Sequence, residues 1–293
     1  MTKLDKGTYN ALQFVDGLNG WIIGSEGRIL HTTDGGITWK PQNSGVLTRL
    51  HALSMLDDES GWITGDSATI LWTTNGGLIW KKQNLPVANN RLIMDVSFSN
   101  PFTGWASTNY GEILHTTDGG DTWKQQQSGI PWAITGVKAL SRSKCIAVAT
   151  NRIVLVTSDE GMHWQQQKID YPSPAIFDDV EFIDDQTGWI STNILASSMR
   201  ETGTPLFRTD DGGKSWNLLA IIPTDWILSL VFLDHNAGWA IGSQRIFSTS
   251  NGGKDWSEQY QISGDTFLVD LSFIDRRNGW AFTSKGEILK YVH

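Results

Sequence analysis

The chain has 293 residues, including 15 Trp and 30 Gly, and is long enough to bury a sizeable apolar core as one large β-domain or two ordinary ones. Its formal charge of −8 argues against nucleic acid or an anionic membrane surface as partner, and a charged fraction of only 18% argues against a long disordered segment. The lone Cys145 excludes an intrachain disulfide, and no apolar run approaches the roughly 20 residues needed to span a bilayer.

The first residues, Met1-Thr2-Lys3-Leu4-Asp5-Lys6, do not read as a signal peptide. They fit a cytoplasmic protein, or the mature part of an exported one, which would then be periplasmic or secreted. The first ordered signal is the box Thr32-Thr33-Asp34-Gly35-Gly36-Ile37-Thr38-Trp39, and the chain repeats it six times. The common pattern is Thr-x-(Asp/Asn)-x-Gly-x-x-Trp. The anchors are Asp34, Asn75, Asp118, Asp159, Asp211 and Asn251, and the closing aromatics are Trp39, Trp80, Trp123, Trp164, Trp216 and Trp256. An Asp or Asn side chain accepts hydrogen bonds from backbone N–H groups just ahead of it and closes a turn. Glycines tolerate the positive φ such a turn needs. The Trp then opens the next strand as a large apolar wedge. Each box is therefore read as a structural hairpin corner.

The six anchors lie 41, 43, 41, 52 and 40 residues apart. A second marker, Gly-Trp, recurs at Trp21, Trp62, Trp105, Trp189, Trp239 and Trp280, with Lys144-Cys145-Ile146 in its place in the fourth unit. Together the markers give seven units, the fourth lacking one and the seventh lacking the other. In the third unit, Leu92–Phe98 suits an inner strand, Gly104–Thr108 a second and Glu112–Thr116 a third. Trp123–Gln127, polar beyond its anchor, suits an exposed outer edge. A period near forty with four short strands per unit predicts an all-β, single seven-bladed β-propeller of four-stranded antiparallel blades. The blades span approximately 7–44, 45–87, 88–129, 130–170, 171–221, 222–262 and 263–293. The last unit lacks its fourth strand, so residues 1–6 are expected to close the ring.

Gly20-Trp21-Ile22-Ile23-Gly24 through Ile29–Trp39, and Arg49-Leu50-His51-Ala52-Leu53-Ser54-Met55-Leu56, resemble blades of the photosystem II stability/assembly factor family. The likeness covers nearly the whole chain and is weaker from Ala133 to Tyr171. It implies a seven-bladed propeller that works without catalysis as an assembly scaffold for a protein partner. In photosynthetic members an arginine-bearing surface is linked to a reaction-centre subunit, whereas the ten Arg here are scattered along an acidic chain. The box alone also occurs in sialidases, glucan hydrolases and sortilin-like receptors. That leaves a glycan-binding or glycan-cleaving propeller as the alternative. Its acid and base would come from a carboxylate pair roughly 5–10 Å apart.

Asp57-Asp58-Glu59, Asp178-Asp179 and Asp184-Asp185 supply carboxylates, and most such residues are expected in turns that follow inner strands. The six His lack metal-ligand spacing, and His31 and His115 occupy equivalent positions, so no metal and no cofactor is expected. A repeat protein carries function in what it adds to the scaffold. The longest step holds an insertion between Thr192 and Leu206 that includes Met199 and Arg200. On the same face, by strand order, lie Arg49, Arg91, Tyr110, Trp132 and Trp226 near the mouth of the central channel. These seven residues form the candidate partner-binding set on a chain expected to be monomeric. The competing reading has Trp132 and Trp226 plugging the channel.

Overall fold

In the computed structural model, which describes residues 2–4, 7–171, 175–194 and 203–291, the repeat becomes seven four-stranded antiparallel sheets. The innermost strands are Tyr9–Phe14, Leu50–Met55, Ile93–Phe98, Ile134–Ala139, Ala175–Phe182, Ser229–Phe232 and Leu268–Phe273. They surround a channel of about 480 Å³. In the first six blades the outer strand follows the box directly, as at the polar Lys124–Gln127, which pairs with Glu112–His115; in blade 5 it is the apolar Asn217–Ile222. In the seventh blade the outer strand is Thr2–Lys3, which pairs with Glu287 and Ile288 and closes the ring.

The boxes form the corners that their composition predicts. In blade 3, Thr116 Oγ1 donates to Asp118 Oδ1 (2.8 Å) and accepts from the amide of Gly120 (2.8 Å). Asp118 accepts the Thr122 amide at 2.9 Å and the Thr122 hydroxyl at 2.6 Å. Gly120 sits at φ 93°, where a side chain would be strained. Thr116→Val keeps the shape of this buried residue but leaves the Gly120 N–H unpartnered. It is expected to cost about 1–3 kcal/mol in urea unfolding, and a loss near zero would show that the box hydroxyl is not structural.

The Gly-Trp indoles of blades 2, 5, 6 and 7 stack on the inner-strand Phe of the next blade. Trp62 stacks on Phe98 at 3.5 Å and donates to the Gly119 carbonyl (2.9 Å); Trp189 does the same with Phe232 (3.6 Å) and Gly252 (3.1 Å). Where the next inner strand ends in Met55 or Ala139 rather than Phe, the indole turns to its own blade. Trp21 stacks on His31 and Trp105 on His115, each at 4.3 Å. Burial holds both imidazoles below the ordinary histidine pKa, as expected of packing residues. In the fourth unit Ile146 replaces the indole and packs with Phe182 and Trp216 of blade 5.

Box tryptophans are latched from the preceding blade as well. Gln42, Gln83 and Gln126 accept the indole N–H of Trp80 (3.0 Å), Trp123 (2.8 Å) and Trp164 (3.2 Å). The opposite ends of the same amides donate to the carbonyls of Gly76, Gly119 and Glu160.

Candidate functional site

The loops entering the inner strands and the turns between second and third strands share one face, the channel mouth. There Arg91 lies with its guanidinium carbon 4.3 Å from the ring centre of Tyr110, which is 55% exposed. Arg91 Nε also donates to Glu112 Oε1 at 2.7 Å. Glu112 is further held by the Thr108 hydroxyl, and these contacts outweigh burial to keep its pKa below the usual value. The Tyr110–Gly111 turn rests on the following loop, where Ser128 Oγ donates to the Gly111 carbonyl (2.5 Å), and Pro131 and Tyr110 line one shallow pocket of about 250 Å³. The next residue, Trp132, is 46% exposed.

The structure thus brings Arg91 and Tyr110 together, and Trp132 belongs to the loop that packs on their turn, with its carbonyl 3.1 Å from where a Cβ on Gly111 would stand. Arg49 stands apart, at the entry to blade 2, where it donates to Asn10 Oδ1 (2.9 Å) and has no carboxylate within 4 Å among the described residues. Trp226 is half-buried and bridges backbone to Asn193 at the base of the fifth-blade insertion. Neither Trp132 nor Trp226 lines the channel, so neither plugs it. Met199 and Arg200 lie outside the described residues.

The channel itself holds what the sequence reading misplaced. Asp57 and Asp184 do cap turns, accepting the amides of Glu59 and Ser60 and of Gln186 and Thr187. Asp178 and Asp179, by contrast, lie within the inner strand Ala175–Phe182 and face the channel. Asp95 and Asp270 occupy the position of Asp179 in blades 3 and 7. Asp95 accepts from Val137 of the next blade and from Val96, each at 2.8 Å; Asp270 accepts from Leu12 of blade 1 at 2.7 Å and from Leu271 at 2.8 Å. The neighbouring blades carry Gly136 and Ala11 opposite these carboxylates. On its other side Gly136 faces blade 5, where an added Cβ would stand 3.0 Å from Asp179 Oδ1.

A sequence signal for these aspartates existed. The inner strands Ile93–Phe98, Ala175–Phe182 and Leu268–Phe273 end in Asp-Val-Ser-Phe, Asp-Val-Glu-Phe and Asp-Leu-Ser-Phe, while Ala11, Ala52, Gly136 and Ser229 fill the same position elsewhere. Between Asp95 and Asp179, Lys138 Nζ donates to Glu181 Oε2 at 2.7 Å. Burial pushes Asp95, Asp178 and Asp270 up to about 6 and Asp179 well above the usual range, where the charges of Asp95 and Glu181 add to it. Burial pulls the Lys138 ammonium down, but Glu181 outweighs it and leaves the pKa raised. These groups line the channel and are half-buried there.

The sequence model of the Photosynthesis system II assembly factor YCF48 family matches residues 3–87 and 78–217. The chain belongs to this family. Photosystem II assembly lipoprotein Ycf48 of Synechococcus sp. (strain CC9902) is 27% identical over 115 residues, which covers 37% of the chain and about a third (31%) of that relative's length. The solved structure of YCF48 bound to D1 peptide superposes with a TM-score of 0.76 at 20% identity, covering 100% of this chain and 94% of that one. The propeller architecture extends beyond the family. The GH74 enzyme of Niastella koreensis shares it at a TM-score of 0.76 and 12% identity, over 97% of this chain and 52% of that one. At these identities the structural likeness speaks for the fold alone.

Proposed function

We propose that this YCF48-family propeller is a non-enzymatic assembly scaffold that holds a segment of a protein partner on its mouth face. The observation that carries the reading is the exposed Tyr110 stacked on Arg91, with exposed Trp132 in the loop that packs on the same turn. Aromatic and arginine side chains grouped in this way supply most of the binding energy in protein interfaces. Arg91 is neutralised by Glu112, so the cluster offers mainly aromatic surface, and Arg49 supplies the cation for a carboxylate on the partner. A relative that binds a D1 peptide makes that peptide the first probe.

Fluorescence anisotropy with a labelled D1 peptide is expected to show saturable binding that weakens about tenfold or more in Tyr110→Ala and in Trp132→Ala. Arg49→Glu should weaken it further at low salt than at high salt. Binding that survives all three substitutions would move the site off this face. Three of the channel carboxylates hold blades together, Asp95 and Asp270 through backbone amides and Glu181 through Lys138. They are not poised as a free acid and base, and xyloglucan and sialoside substrates are expected to remain uncleaved.

A further inference from the structure

Blade 5 departs from the others at its outer strand. Asn217-Leu218-Leu219-Ala220-Ile221-Ile222 runs for 6 residues without a charge. The outer strands of blades 1 to 4 and 6 are shorter, and each carries Lys or Glu. Asn217–Ile222 is also the last strand of its sheet, paired with Thr204–Thr209 on one side only. Pro205 in that neighbour has no N–H, and its carbonyl turns toward the second strand, accepting from Thr192 Oγ1 at 2.6 Å. By antiparallel alternation, Ile221 opposite Pro205 and Leu218 opposite Phe207 direct their own N–H and C=O groups off the edge. Among the described residues those groups meet no partner. A bulge at Leu219 keeps Leu218 and Ile221 on one face of the sheet, and they are 48% and 42% exposed.

The other blades show what an unpaired edge ordinarily carries. The residue opposite the same third-strand position as Leu218 is Pro41, Lys82, Gln125, Gln166 and Glu258 in blades 1, 2, 3, 4 and 6. Short strands, prolines and charges keep an open edge from pairing with a further strand. Blade 5 omits all three. Internal packing explains only part of the change. Leu219 and Ile222 join the core between blades 5 and 6 with Leu206 and Phe232, whereas Leu218 and Ile221 belong to no core cluster among the described residues.

We propose that this edge binds a second copy of the chain, pairing Asn217–Ile222 with itself about a two-fold axis between Leu219 and Ala220. That axis sets Leu218 opposite Ile221 of the partner subunit, and Ile221 opposite the partner's Leu218. The two residues with outward backbone groups on one copy therefore meet the same two on the other. Their four apolar side chains gather on one face as cross-strand pairs. A two-fold contact uses one patch twice, so it needs a patch that complements itself. The symmetric placement of Leu218 and Ile221 about the strand centre meets that need. Lys82 or Glu258 at the same place would bring its charge up to the partner strand, and the uncharged strand of blade 5 does not. The strand runs from the box face to the mouth face, so antiparallel pairing points the two mouths in opposite directions and leaves each free.

Sedimentation equilibrium of the full chain over a wide concentration range is expected to show monomers passing reversibly into dimers and into nothing larger, because a two-fold contact closes on itself. Leu218→Lys/Ile221→Lys places Lys opposite Lys in both contacts and should weaken the dimer about tenfold or more. Leu218→Glu/Ile221→Lys places Glu opposite Lys in both and should keep the dimer at low salt, loosening as salt screens the pairs. Both variants change exposed residues, so their melting temperatures should match that of the wild type at concentrations where all are monomeric. A wild-type chain that stays monomeric would overturn the proposal and leave the edge to a foreign strand. A dimer that survives the Lys/Lys variant would overturn it too, by placing the contact elsewhere. Equal weakening in the two double variants would reject the two-fold register. Tyr110→Ala should leave dimerisation unchanged, which separates this edge from the mouth face.

Discussion

Trp280→Ala is expected to be among the most damaging single substitutions in the protein, at about 3–5 kcal/mol, the range for removing a buried Trp or Phe. Trp280 is 1% exposed and lies at the seam where the last blade meets the first. Its indole stacks on Phe14 at 3.7 Å and 7°, and its N–H donates to the Gly35 carbonyl at 3.0 Å. The same seam carries Leu12 N to Asp270 and Phe14 N to Ser272 Oγ (2.9 Å). The outer closure of this blade is a strand of two residues, so these inner contacts bear most of the ring's integrity. Trp21→Ala is the control. Trp21 is equally buried, but it stacks within its own blade and its N–H meets no acceptor, so less is lost. Thermal melts followed by near-UV circular dichroism should place Trp280→Ala on the order of 10 °C below wild type. Trp21→Ala should fall clearly between them. Equal losses would mean that apolar volume alone, and not the inter-blade contact, determines the cost.

This contrast also marks how far the sequence is legible. The boxes and Gly-Trp markers repeat because each blade solves the same local problem with the same turn, so blade number and strand order can be read directly from spacing. What one indole packs against depends on the next blade. Trp21 and Trp62 look alike in sequence, yet Met55 turns the first toward His31 while Phe98 draws the second across the seam. The mouth cluster is partly legible for the same reason. Arg91 and Tyr110 are 19 residues apart in one blade, but their contact depends on a turn held by Ser128 from the loop beyond. Asp178 and Asp179 resemble the turn pair Asp184-Asp185 in composition. Only the register shift between Phe177 and Val180, with Phe177, Val180 and Phe182 buried, puts both of them on the channel side. The pairing of Lys138 with Glu181 spans 43 residues and no local pattern encodes it.

That pairing gives the second large effect. Lys138→Met leaves Glu181 unpaired beside Asp95 and Asp179; both partners are 29% exposed, so the loss is expected at about 1–3 kcal/mol, below that of a fully buried pair. The loss should depend on pH in a defined direction. Asp95, Asp178 and Asp270 titrate in the fold at about 6, above their ordinary 3.8, because burial disfavours the charged form. A raised acid contributes stability that is fully present below the unfolded value and is lost as pH rises through the folded value. Asp34, Asp159 and Asp234 shift the other way, to about 2, through the Thr38 hydroxyl, the His163 amide and the Ala237 amide respectively, so their contribution disappears as pH falls below 4. The wild-type protein should therefore be most stable between about pH 4 and 5 and decline toward pH 7. In Lys138→Met the decline steepens, because the cation that offset the carboxylates is gone, and protonation at pH 5 should restore most of the difference from wild type. Urea unfolding at pH 5 and pH 8 measures this directly, with Lys138→Met/Glu181→Gln expected to recover part of the loss at pH 8. If Lys138→Met were equally destabilised at both pH values, its role would be packing of the alkyl chain, and the channel carboxylates would owe it nothing electrostatically.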